Sequence, residues 1–160
     1  MLSIRAATVN DVSLLATLIR ELAEYERGLH LVVMKEQDLV RDGFGPNQKF
    51  RALVAEWNGR PAGYAVFFDF YSTWEGRSGL FLEDLYVRPE FRSRGIGKAL
   101  LGYVARTARQ ENCYGVRWEV LDWNQPAIKF YQSLGAVFLD HWRSVLLCQD
   151  ALDRLAEETP

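Results

Sequence analysis

The sequence has little of what would staple a chain covalently, bind a metal, cross a membrane or coat a nucleic acid. Its two cysteines, Cys113 and Cys148, lie far apart in no C-x-x-C pattern, so neither a disulfide framework nor a zinc site has support. The only histidines, His30 and His141, show no ligand spacing, and no metal is expected. Nineteen Lys and Arg against twenty-one Asp and Glu leave a formal charge of -2, which offers no basic stripe to a nucleic-acid backbone. No apolar run reaches the roughly 18 residues of a membrane span, and the start lacks the charged-then-apolar plan of a signal peptide. The expected setting is therefore soluble and cytoplasmic, without nucleic-acid or membrane partners.

What is present is a patterned chain of 160 residues, a length suited to one domain. Residues 2–6 read as a short strand, and Thr8 or Asn10 can cap the helix that follows. Val12, Leu15, Leu18, Ile19 and Leu22 then recur at helical spacing to about Glu26. A second helix fits Lys35 to Asp42, with Gly43 as its left-handed stop and Gly43 to Pro46 as loop. From Phe50 the period changes. Phe50 to Trp57 leads through Asn58-Gly59, a strong signal for a tight hairpin, into a strand from Arg60 to about Tyr71. Leu80 to Val87 is the third strand of this antiparallel meander. A helix from Ile96 to about Asn112 and a strand from Val116 to Leu121 complete a right-handed crossover, so this strand should lie parallel to Leu80–Val87. Asn124 and Pro126 open another helix that Gly135 closes. Ala136–Leu139 and Arg143–Cys148 suggest a last strand pair, and Asp150–Glu158 a tail helix.

The chemistry concentrates between Leu80 and Ala99. An apolar run carrying Glu83-Asp84 stops at Pro89, passes through Arg92, Ser93, Arg94, Gly95, Ile96 and Gly97 to Lys98, and becomes an amphipathic helix. A strand, a glycine turn and a helix start present several N–H groups in one direction with a helix dipole behind them, a cradle for phosphate or pyrophosphate. The turn is not a dinucleotide fingerprint, because Leu100 occupies the third small position. Nor is it a Walker loop, because Arg92 and Ala99 stand where Gly and Ser or Thr are needed.

With this turn between an antiparallel meander and a crossover, the sequence resembles the GNAT superfamily of acetyl-CoA-dependent N-acetyltransferases, whose pyrophosphate loop reads Arg/Gln-x-x-Gly-x-Gly/Ala. Within it the chain looks most like the spermidine/spermine and thialysine acetyltransferase group. The matching blocks are Glu21-Leu22-Ala23-Glu24-Tyr25-Glu26, Asp42-Gly43-Phe44-Gly45, Leu82-Glu83-Asp84, Trp123-Asn124-x-Pro126, and Phe130-Tyr131 with Gly135-Ala136. The chain departs from the polyamine enzymes at Ser72-Thr73, around Leu139-Asp140-His141 and at Gln132-Ser133. The resemblance implies a single α/β domain over residues 1–160, with 150–160 a short tail. Its sheet would be mixed and mostly antiparallel, of about six or seven strands, with helices on both faces and a splayed central parallel pair.

It further implies that the backbone of Leu85, Tyr86 and Val87 holds the pantetheine arm. Arg92, Ser93, Arg94, Gly95, Ile96, Gly97 and Lys98 would take the pyrophosphate, and Asn124, Pro126 and Ala127 would line the other wall. Tyr131 matches the family's proton donor to the leaving thiolate, and Glu83 a carboxylate that accepts the amine's proton directly or through water. Tyr25, Glu26, Glu83, Asp84 and Glu119 would attract a cationic acceptor. The implied reaction is direct acetyl transfer from acetyl-CoA to a primary amine of a small di- or polyamine, by a homodimer needing no metal. Two alternatives are a lysine-like or thialysine acceptor, and a CoA-binding sensor without turnover.

Overall fold

In a computed structural model, residues 1–158 are described. The chain divides into two compact units, Met1–Leu121 and Asp122–Pro160. The first holds a five-stranded sheet in sequential order, made of β1 (Leu2–Ala6), β2 (Arg51–Trp57), β3 (Arg60–Ser72), β4 (Arg77–Val87) and β5 (Val116–Arg117). The first three pairings are antiparallel and β4 runs parallel to β5. Helices α1 (Val12–Tyr25), α2 (Glu36–Phe44) and α3 (Ile96–Gln110) complete it.

Local chemistry explains most of these boundaries. Asn58 and Gly59 both take positive φ, 51° and 74°, the backbone that a tight turn needs to match the twist of its flanking strands. Ahead of α1, the Asp11 carboxylate accepts hydrogen bonds from the Thr8 N–H and hydroxyl and from Arg5, which holds it well below the usual carboxylate range. Alternation then sorts the sheet. Val54, Tyr64 and Tyr86 lie opposite one another across β2, β3 and β4 and pack with Leu15 and Leu18 of α1 and Leu39 of α2. Leu53 and Ala65 face the other way, where α3 packs on the strands and buries Leu100 and Val104 completely.

One irregularity interrupts the β3–β4 ladder. Leu82 pairs with Phe67 and Asp84 with Val66, so Glu83 has no opposite residue and forms a bulge in β4. The extra residue reverses the strand's phase. Before it, the Leu80 N–H points away from β3 to the Gly115 carbonyl. After it, Arg88 N–H bonds back to Ala62 O toward β3, so by alternation Leu85 and Val87 aim their N–H groups away from β3. The β4–β5 ladder itself stops at Phe81 and Arg117, before the bulge.

The structure corrects three sequence expectations. The strand expected over Val116–Leu121 is two residues long, since the bulge bends β4 and puts its outward groups out of step with a longer partner. Gly43 does not stop α2; the helix continues to Phe44. Gly43 is there because a Cβ would come within 2.6 Å of the Phe50 ring, so its value is close packing rather than left-handed backbone. Finally, the described residues form five strands instead of six or seven. Ala136–Leu139 and Arg143–Cys148 enter no ladder and leave Val137, Val145 and Leu146 more than 80% exposed; an isolated two-stranded ribbon is marginal without a surface to cover its apolar side.

The second unit contains α4 (Gln125–Ser133) and α5 (Gln149–Glu157). Asn124 caps α4 by accepting a hydrogen bond from Ala127 N–H, Pro126 lies in its first turn, and Gly135 ends the segment at φ 81°. The expected tail helix is present as α5.

Candidate active site

The glycine turn is built from backbone. Ser93 and Gly95 both have positive φ, 60° and 76°, and Gly95 caps α3, whose first helical bond runs from Ala99 N–H to Gly95 O. The N–H groups of Ile96, Gly97 and Lys98 therefore have no partner within the helix, and the positive end of its dipole lies behind them. The fully buried Ile96 side chain anchors the turn to the core, while Arg92, Ser93, Arg94 and Lys98 remain exposed. Free amides, a helix start and flanking cations form a donor set suited to a pyrophosphate. Arg94 stacks over Trp57 at 5.3 Å. Arg92 donates from Nε to Val87 O at 3.0 Å and lies 4.7 Å over the Tyr25 ring, joining the turn to the end of α1 by a cation–π contact.

The second feature is built from side chains. Asp84 is half-buried on the α1 side of the sheet and accepts a hydrogen bond from the Tyr64 hydroxyl at 3.0 Å. Its carboxyl is pushed up to about 6, first by loss of water and then by the neighbouring charges of Glu83 and Glu26, while the Tyr64 hydrogen bond opposes the rise. Glu26, at the end of α1, is itself raised by desolvation. Three acids from the end of α1 and from β4 thus neighbour one another, Glu26 and Glu83 exposed and Asp84 half-buried. Negative charge gathered around one partly desolvated carboxyl favours a cation.

Of the expected acceptor residues, the structure gathers Glu26, Glu83 and Asp84, and links Tyr25 to them through the α1 end. Glu119 is exposed two residues beyond β5. In the second unit Asn124 and Tyr131 are buried, Tyr131 on α4 beside the Phe130 ring at 5.3 Å, and Pro126 and Ala127 lie in the first turn.

Two features were not foreseen from the sequence. Tyr64 was readable only as one more strand aromatic, although a buried phenol needs a hydrogen-bond partner and so hints at one. Arg88, the residue after β4, reaches α1, donating to both Glu21 carboxylate oxygens and to Pro61 O at 2.7–3.2 Å. A lone Arg after a strand carries no sequence signal for such a staple.

With this geometry in hand, comparisons with known proteins agree on the class. Residues 14–136 match the Acetyltransferase (GNAT) family, and the chain belongs to that family. It is accordingly an acetyltransferase. Thialysine N-epsilon-acetyltransferase of Sus scrofa is 40% identical over 164 residues, covering 96% of each chain. Spermidine/spermine N(1)-acetyltransferase-like protein 1 of Homo sapiens is 36% identical over 143 residues, which cover 85% of this chain and 20% of that protein. Among solved structures, an integron cassette protein from the mobile metagenome of V. cholerae superposes with a TM-score of 0.80 at 24% identity over 98% of both chains, a likeness of fold.

Proposed function

We propose that this chain, as a single domain, transfers the acetyl group of acetyl-CoA directly to a primary amine of a small cationic acceptor. The observation that carries the reading is the junction on β4: outward-facing N–H groups at Leu85 and Val87 next to an acid cluster at Glu83, Asp84 and Glu26. Amine transferases in the matched family and the two named relatives support it.

The chemistry assigns the roles. A free alkylamine has a pKa near 10.4, so at pH 7 about one molecule in a few thousand is an uncharged nucleophile. Asp84 and Glu26, with Tyr25 and Glu119 at the margin, attract the cation, and Glu83 accepts a proton directly or through water. The amine nitrogen then bonds to the thioester carbonyl carbon, and the carbonyl oxygen takes the displaced electron pair. Leu85 N–H donates to this oxyanion. As the C–S bond breaks, Tyr131 gives its proton to the leaving thiolate, a step a phenol near pKa 10 supports for a thiol near 8.5. The backbone of Leu85, Tyr86 and Val87 holds the pantetheine arm and Arg92 to Lys98 take the pyrophosphate, and the family resemblance assigns Asn124, Pro126 and Ala127 to the same cofactor. No metal enters this scheme, and its setting is the cytoplasm.

A second copy of the chain belongs to the proposal. Trp142, Val145, Leu146 and Leu155 expose more than half of their surface, an apolar segment suited to burial in a homodimer. A thialysine or lysine-like acceptor is the second reading, favoured by the 40% identity to the Sus scrofa enzyme over 96% of both chains.

The experiment is CoA release measured over diamines, polyamines, thialysine, lysine and short peptides. Turnover with small cationic amines is expected, and the acceptor with the highest kcat/KM selects between the two readings. Tight acetyl-CoA binding with no turnover on any amine would overturn the proposal.

A further inference from the structure

Tyr64 is completely buried in the middle of β3, surrounded by Leu15, Leu18, Val54 and Tyr86, yet it carries a hydroxyl. That hydroxyl reaches diagonally across the β3–β4 ladder, from the position opposite Tyr86 to the Asp84 carboxylate two residues away. The Tyr86 ring packs edge-on against it at 6.4 Å between centroids and fixes its orientation. Asp84 therefore has one side committed to a rigid donor inside the core.

We propose that Tyr64, outside the acceptor site itself, is a positioning residue that fixes the Asp84 carboxylate, so that the two side chains act as one unit in recognising the acceptor cation. This rests on the acceptor reading above and names a residue that determines its strength. The bulge contributes to the arrangement: by inserting Glu83, it brings Asp84 opposite Val66 and onto the same face as Tyr64 and Tyr86.

The electrostatics give the pair a measurable signature. The groups facing Asp84 are Tyr64 from β3, Glu83 from β4 and Glu26 from the end of α1; Tyr86 also bears on Tyr64. Desolvation and the two glutamates favour the neutral acid, and the Tyr64 O–H alone among them favours the carboxylate. Removing that donor must raise the Asp84 titration point, and near neutral pH a growing share of the enzyme would lose the charge that attracts the amine.

The test is Tyr64→Phe, which keeps the ring and deletes one oxygen. Carbon-13 titration of the aspartate carboxyls, with Asp84 assigned by its disappearance in Asp84→Asn, should show its midpoint rise by about one pH unit. The acidic limb of kcat/KM for the amine should move up by a similar amount, with KM for acetyl-CoA unchanged. In the Asp84→Asn background, adding Tyr64→Phe should leave the profile where it is. An Asp84 midpoint and acidic limb identical in wild type and Tyr64→Phe would overturn the proposal, as would an equal effect of Tyr64→Phe with and without the Asp84→Asn substitution. The carboxyl titration needs no turnover, so it decides the coupling even if the amine panel were to overturn the acceptor reading.

Discussion

The turn from Arg92 to Lys98 and the acid cluster of Glu26, Glu83 and Asp84, the two regions proposed here to hold donor and acceptor, are made differently. The turn offers backbone amides and a helix start, shaped by the positive φ of Ser93 and Gly95, with exposed cations beside them. The cluster is made of side chains, and partial loss of water pushes the carboxyl of Asp84 up to about 6. A backbone site is sensitive to conformation and insensitive to pH, and a buried-acid site is the reverse. With the proposed roles, the difference predicts that donor binding and acceptor choice break separately.

The largest effect should fall where a side chain moves a proton. Tyr131→Phe is expected to lower kcat by about 10²- to 10⁴-fold, the usual contribution of a general acid, with acetyl-CoA affinity retained; full activity would remove Tyr131 from the scheme. Next comes Asp84→Asn. Losing the charge should cost about 10- to 100-fold in kcat/KM for the amine, the result of removing one partner of a desolvated ion pair. The same substitution should stabilise the fold by about 1–3 kcal/mol at pH 7, because a partly desolvated carboxylate is replaced by a neutral amide, measurable by urea unfolding. The sign follows from linkage. The native group titrates at about 6 against 3.8 when solvated, so the folded chain holds the extra proton between those values and wild-type stability falls as pH rises through that interval. Asp84→Asn should flatten that fall.

On the backbone side the effects are smaller. Gly95→Val should raise KM for acetyl-CoA about tenfold, since a left-handed residue with a Cβ costs about 1–2 kcal/mol. Gly95→Asn should stay close to wild type, because asparagine tolerates that region and nothing within 4 Å blocks its Cβ. Equal losses in both variants would mean that the side-chain volume at 95, not the backbone, is what the site reads. The smallest effect belongs to Arg88→Ala. It should cost about 1–2 kcal/mol of stability through the lost bonds to Glu21 and Pro61, seen as a lower urea midpoint.

What could be read from sequence was whatever depends on local chemistry. Asn58-Gly59, the turn at Arg92–Gly97 and the Asn124–Pro126 cap each demand particular residues at particular φ and ψ, and each stands where it was expected. What depends on distant partners was silent or misleading. Gly43 looked like a helix stop and is a contact with Phe50. The bulge at Glu83 left no mark, because a strand buried on both faces has no clean alternation for an inserted residue to interrupt. Glu83 and Asp84 could be picked out as acids, but which one would be drawn into the interior turns on that bulge and on Tyr64, 20 residues upstream of Asp84 in another strand. The apolar residues of 136–148 suggested strands, and pairing of that kind needs a covering surface as well as a pattern.

The most direct measurement is the pair of Michaelis constants, for acetyl-CoA and for the preferred amine, in Gly95→Val and Asp84→Asn. If β4 joins two separable sites, Gly95→Val raises the acetyl-CoA constant and leaves that of the amine, while Asp84→Asn raises the amine constant and leaves that of acetyl-CoA. Either substitution moving both constants together would contradict the account.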